Sequence, residues 1–423
     1  MGTTAIVAAA ACAAPASAAD KIQLELRGYA QFGAAGIVSE PDGGGGNRGA
    51  FGSDSEVHFR GKTILDNGLA ISFQAQLELE DDPEVDDDAD LIDEVYVQFD
   101  GGFGRIQFGM QDGVGDQMII SAPNVFSQFT ISSIDMNPFE MYTSSDIDSD
   151  VRDILGESSY LDTSPDFSAD HTKVIYFTPR IYGLQLGVSY APNPCRNDTG
   201  LDVNTSAAGD SDPDTFFSCG NDDVFGSNYW EVAGNFEHEF DGFGVGVSAS
   251  YGSGGGNDFG PALAGAVIDD GEADGPSEWH AGGELFFNLV GGRLTIGGAY
   301  KETDAIDAEN TSITNLIAAD FDVDATSSRH WDAGAKFGVG PWEFGGAYGR
   351  AESNYVFVSS FDQETELTTM IGGVSYKMGP GIKLGLGVIH SDAEIGAASF
   401  ENDLFSEGET DATAVFSELD LRF

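Results

Sequence analysis

Carboxylates are the most abundant functional groups in this sequence, and they are bunched. Between Gly113 and Asp170 stand eleven Asp or Glu and a single basic residue, Arg152. Asp116, Asp135 and Glu140 lie singly in less polar sequence, whereas Asp146, Asp148 and Asp150 alternate with other residues. Alternating carboxylates offer the hard oxygens that Ca²⁺ prefers. The run lacks the glycine and closing glutamate of a helix–loop–helix calcium loop, so solvated loop charge is the plainer reading, and nothing requires a cofactor. The second chemistry is charge selection, in which fixed acids and bases across a narrow water gap decide which ions pass. Candidate bases are Arg27, Arg60, Lys62, Arg105 and Lys173, five of only 18 Lys plus Arg. The plainer alternative is that they fill polar positions without a joint role.

Catalytic signatures are missing. The six histidines show no metal-ligand spacing, no Gly-rich loop joins a strand to a helix, and His171 beside Asp170 is the only hint of an acid–histidine pair. The formal charge of −53 excludes a general nucleic-acid binder, because phosphate binding needs a basic face. Aromatic residues at 11% and 57 glycines separate the chain from a disordered acidic tail. Residues 1–19 read as a secretory signal, with an alanine-rich run ending in Ala16-Ser17-Ala18-Ala19 before Asp20. Residues 20–423 then form one unit. In an exported chain, Cys195 and Cys219 are expected to pair within a loop rich in Asn, Asp, Gly and Pro.

The elements that must position these charges are extended. From Ile22 to Ala34 the even positions are Ile, Leu, Leu, Gly, Ala, Phe and Ala, and the odd ones are Gln, Glu, Arg, Tyr, Gln and Gly. Such alternation gives a strand one apolar and one polar face. Sixteen segments follow this pattern, near 22–35, 51–65, 68–80, 90–99, 103–112, 170–179, 184–192, 227–239, 243–252, 277–288, 292–303, 328–338, 341–352, 364–377, 380–392 and 411–423. Tight turns such as Asp66-Asn67-Gly68 and Asp241-Gly242 alternate with long loops, including 113–169 and 353–363. An even strand number with short and long connections in alternation predicts an all-β, 16-stranded antiparallel transmembrane β-barrel. Closure removes the unpaired edges that lipid penalises. Tyr182, Tyr190, Trp230, Tyr251, Trp279, Trp331, Trp342 and Tyr348, toward segment ends, suit membrane interfaces. The acidic stretch 113–170, too long for a plain turn, is expected to fold back into the lumen and narrow it. Apolar residues on the lipid side put Arg27, Arg60, Lys62 and Arg105 in the lumen, with Lys173 joining them.

The opening Leu24-Glu25-Leu26-Arg27-Gly28-Tyr29, the closing Leu419-Asp420-Leu421-Arg422-Phe423 and the oversized third loop together resemble the general porins of Gram-negative outer membranes, particularly the alphaproteobacterial kind. The resemblance implies a homotrimer in the outer membrane beside lipid and lipopolysaccharide. It also implies a terminal Phe423 read by the barrel-assembly machinery, and loop 113–170 as the eyelet loop. The function expected is a water-filled, cation-preferring diffusion channel for ions and small hydrophilic solutes. The residues leave two alternatives open, an enzyme built on an outer-membrane barrel and a soluble acidic adhesin or carbohydrate-binding β-protein. Detergent dependence separates the second from a barrel.

Overall fold

The period-two pattern folds into one closed antiparallel sheet. The computed structural model describes residues 21–39, 49–79, 92–131, 161–165, 168, 170–192, 228–254, 277–304, 324–357, 361–395, 398–399, 404–405 and 408–423. The strands are β1 (Gln23–Ser39), β2 (Gly49–Ile64), β3 (Ala70–Glu78), β4 (Ile92–Gly101), β5 (Gly104–Met110), β6 (Thr172–Phe177), β7 (Leu184–Ala191) and β8 (Tyr229–Glu239). Then come β9 (Phe243–Ser253), β10 (Ser277–Leu289), β11 (Gly292–Asp304), β12 (Asp324–Val339), β13 (Trp342–Phe357), β14 (Phe361–Gly379) and β15 (Ile382–Ile395). β16 (Ala398–Ser399) and β17 (Leu404–Phe405) form a separate two-stranded sheet, and β18 (Gly408–Arg422) closes the sixteen-stranded cylinder between β15 and β1. One helical turn, α1 (Val114–Gln117), begins the third loop.

Several boundaries differ from expectation by a few residues, and two of the differences have a readable cause. The connection expected as a loop over 353–363 is mostly strand, because β13 continues to Phe357 and β14 starts at Phe361, with these two residues paired. That stretch contains neither Gly nor Pro to break a strand. The segment expected at 170–179 shrinks to Thr172–Phe177, ahead of Pro179, which has no N–H to donate to the ladder. At the β2–β3 turn Gly68 takes a φ of 82°, a conformation that only glycine adopts without strain.

Face assignment follows from register and burial. Outward positions are apolar and open, among them Leu24, Leu26, Phe32, Phe59, Val247 and Val388. Aromatic rings form an outward step-wise belt near the loop ends, with centroid separations of 5.7 Å for Trp230–Tyr251, 4.9 Å for Trp279–Tyr300 and 5.2 Å for Trp331–Tyr348. Trp342 and Tyr376, 4.6 Å apart, mark the turn end. Such paired belts are what a bilayer selects at its two interfaces.

The buried core lies inside the cylinder. Phe126, Phe129 and Ile131 of the third loop pack with Leu161 against Ile37, Ile371, Ile389 and Phe416 of the wall. The Phe129 and Phe416 rings stack at 4.0 Å. A smaller cluster joins Val114 and Met118 to Ile175, Phe177 and Ala233. Burying side chains of this size is worth about 1.5–3 kcal/mol each, so apolar packing holds the loop to the inner wall.

Candidate functional site

The described part of the third loop tracks the inner wall from β7 round to β18, and wall polar groups fix it at each step. Val114 N–H donates to Ser189 Oγ at 3.4 Å, Gly115 N–H to Glu231 at 3.2 Å and Ile120 N–H to Ser248 Oγ at 2.9 Å. Asp332 accepts from Ala122 N–H at 2.8 Å and from Thr163 Oγ1 at 2.6 Å, tying the outgoing and returning arms together. Three lysines donate to loop carbonyls: Lys336 to Asn124 at 2.9 Å, Lys383 to Val125 at 3.4 Å and Lys301 to Ser164 at 2.7 Å. At the far end Glu418 accepts from the N–H groups of Ser127, Gln128 and Phe129 at 2.9, 3.0 and 3.3 Å. The Ser127 hydroxyl donates to Asp420 at 2.7 Å.

The opposite wall, β1 to β5, carries the candidate basic residues, and the described arm touches it at Gly33 and Ile37 of β1 and beside Ala50 of β2 rather than along its length. Cross-strand register runs Glu25–Arg60–Gln74–Tyr96–Gly109–Lys173 in one lateral row and Gln23–Lys62–Ser72–Gln98–Gln107 in the next. Arg27 pairs with Glu25 at 2.8 Å and Arg105 with Asp100 at 3.1 Å. Neither Arg60 nor Lys62 has an ion-pair partner among the described residues. Lys173 also faces inward, but the returning loop covers it. It is 1% exposed and donates to the Ser168 carbonyl at 3.1 Å and hydroxyl at 2.7 Å, so its charge acts on the loop root rather than on open water.

Of the acids singled out from sequence, Asp116 sits on α1 at that root, bonded to the Ser164 hydroxyl. Asp135, Glu140, the Asp146, Asp148 and Asp150 run, Cys195, Cys219 and residues 1–19 lie outside the described residues. The root gathers further acids: Glu94, Asp112 and Asp170 bring carboxylate oxygens within 4.8 Å of one another, close enough to share a divalent cation. Burial, then the Asp112 charge, pushes Asp116 up to about 7 and Asp170 up to about 8. Burial also raises Asp112 and lowers His171. Carboxyls raised in this way keep their protons below those values and become negative above them. In the cation-preferring channel expected from the sequence, that preference would climb between about pH 6 and 9 instead of over the usual carboxylate range. A unit charge about 8 Å from a passing ion is worth about 0.5 kcal/mol in water, roughly a factor of two in preference per proton lost. Reversal potentials under a KCl gradient that stay flat over this range would contradict the expectation.

The residues that anchor the loop, Glu231, Asp332, Glu418, Asp420 and the lysines 301, 336 and 383, were not picked out from the sequence. Parity could have flagged the pair on β18, since Glu418 and Asp420 alternate with the outward Leu419 and Leu421.

A family model described as Gram-negative porin matches residues 2–395. Among curated proteins none matches the chain in sequence. In three dimensions the chain is similar to the trimer form of OmpT, an outer membrane protein of Vibrio cholerae, with 11% identity, a TM-score of 0.52 and coverage of 96% of this chain and 100% of that one. The outer membrane channel DcaP of Acinetobacter baumannii gives 12% identity and 0.51, covering 95% and 97%. Salmonella typhi OmpF, solved with daunomycin, gives 14% identity and 0.50 over the same shares.

Proposed function

The chain belongs to the Gram-negative porin family, and from that premise we propose that it is a cation-preferring diffusion channel for ions and small hydrophilic solutes, narrowed by its third loop. Its family and fold make it an outer-membrane barrel channel and not an enzyme. The observation that carries the finer reading is the described loop arm held along one half of the lumen, facing Arg60 and Lys62, which have no ion-pair partner among the described residues. Ions are forced past that wall. Screening confines selectivity to nearby charge, since the Debye length is about 8 Å at physiological salt and about 3 Å at 1 M. Asp116, Asp135 and Glu140 are the loop acids proposed to oppose Arg60.

Assembly as a homotrimer is part of the same reading. β5 and β6 have 7 and 6 residues. At about 3.3 Å per residue they are roughly 20 Å long before tilt, short of the apolar band of about 25 Å that such barrels present. A second copy against this low side would cover the deficit, and one solved neighbour is itself a trimer form. Outer-leaflet lipopolysaccharide is proposed to border the tall side, where outward Arg350 pairs with Glu352 and Glu366 at 2.7 and 2.8 Å. Recognition of Phe423 by the barrel-assembly machinery completes the proposal.

The test is planar-bilayer conductance in a salt gradient. Arg60→Ser should widen the gap and raise cation preference by roughly twofold at moderate salt, since one anion-attracting charge is removed. Neutralising the loop acids should move the reversal potential the other way. If Arg60→Ser alters neither conductance nor reversal potential, Arg60 does not border the constriction.

A further inference from the structure

Charge on the wall that faces the described arm changes along the pore axis as well as across it. β2 shows this on a single strand, where the inward side chains read, from turn end to loop end, Lys62, Arg60, His58, Glu56, Asp54. The histidine stands at the change of sign, its Nε2 2.5 Å from Glu56. The loop end of the neighbouring strands is acidic too, with Glu78 of β3 in register with Glu56 and Glu94 at the loop end of β4, whereas their turn end is mixed: Arg27 is paired with Glu25 and Arg105 with Asp100, which leaves Arg60 and Lys62 as the excess charge there. Around the rest of the turn half the charges largely cancel: Lys377 pairs with Glu343 at 3.0 Å, Arg422 with Asp420 at 3.2 Å, and Lys383 lies 3.8 Å from Glu418. The lumen therefore passes from strongly negative at the long-loop end to near neutral or positive at the short-turn end.

Resting on the channel reading above, we propose that this axial charge step makes the open pore rectify, passing more current when the long-loop side is positive. The physics follows from which ion fills each half. Water beside fixed negative charge is enriched in cations, and water beside neutral or positive wall is not. A field pointing from the loop side to the turn side drives cations out of the negative half. It also drives anions up to the boundary, which they cross poorly. Salt accumulates at the boundary and the resistance falls. The reversed field draws both ions away from the boundary, depletes it and raises the resistance. Short turns face the periplasm in barrels of this kind, so the favoured direction carries cations inward.

The experiment records current–voltage curves from the full chain inserted from one side of a planar bilayer, in symmetric KCl. Near 0.1 M, where the Debye length is about 10 Å, the two polarities should differ by roughly 1.5-fold; near 1 M, where it is about 3 Å, the curve should become symmetric. The double variant Glu56→Gln/Glu78→Gln removes two charges of the negative half and should reduce the low-salt asymmetry while leaving the 1 M conductance within error. Lys62→Glu extends negative charge toward the turn end and should reduce it as well. A linear curve at low salt from a conducting pore overturns the proposal and leaves the channel reading standing. So does rectification of the opposite sign, or rectification that both variants leave intact. Absence of any conductance overturns both.

Discussion

Replacing Glu418 by Ala is expected to leave the barrel folded but turn a steady open-channel current into one that flickers among sub-conductance levels. The carboxylate is 1% exposed and holds three consecutive loop N–H groups, so it acts as the anchor of the loop's far arm. Hydrogen bonds to a charged group contribute about 1.5–3 kcal/mol each, and amides left buried without a partner cost about as much. Losing all three should free residues 127–129 by about 3 kcal/mol or more. The apolar contacts of Phe126 and Phe129 with Phe416 remain, which is why the arm is expected to fluctuate and not to leave altogether. Glu418→Gln, which keeps one acceptor oxygen, should flicker less. Single-channel recording of both variants decides the matter, and a quiet current in Glu418→Ala would mean that the aromatic packing suffices alone.

Gly109→Val should prevent the native barrel from forming. Gly109 has a φ of 141°, and a Cβ there would collide with the Val95 carbonyl oxygen and the Tyr96 backbone. Neither is a flexible side-chain end that could swing aside, and the strain of that φ alone costs on the order of 1–3 kcal/mol. The position lies where β5 is clamped between β4 and β6, two residues before the third loop departs. Heat-modifiable migration in detergent reads the folded cylinder directly; a variant that keeps it would show that the β4–β5 ladder has more slack than its register implies.

How much of this was legible depended on the range over which each feature is decided. Strand parity is local, so the inward placement of Arg27, Arg60, Lys62 and Arg105 could be read from alternation alone. The missing Gly and Pro in 353–363 were equally local and would have warned that β13 and β14 run on. The loop's path is a different kind of fact, because it is set by pairs such as Ser127 with Glu418, 291 residues apart, and no periodicity records such a pairing. Lys173 shows the same limit. Its face followed from strand parity, but its cover by Ser168 is a property of how the loop returns. The axial order on β2 is equally local, since Asp54, Glu56, His58, Arg60 and Lys62 share one parity and their depth follows from counting along the strand.

The unequal strand lengths shape how solutes arrive. β13 and β14 have 16 and 19 residues, whereas β5 and β6 have 7 and 6, so the rim is tall on one side and low on the other. Judged by the described strands alone, a solute in the outer water meets a higher sheet wall from one direction than from the opposite one. In the proposed trimer the low sides face inward, and the three mouths empty into a common forecourt over the symmetry axis. A molecule that fails to enter one pore is then released beside two others. Each encounter with the assembly is then more productive than an encounter with a lone barrel, although the three mouths share one diffusive supply and total capture stays at or below threefold.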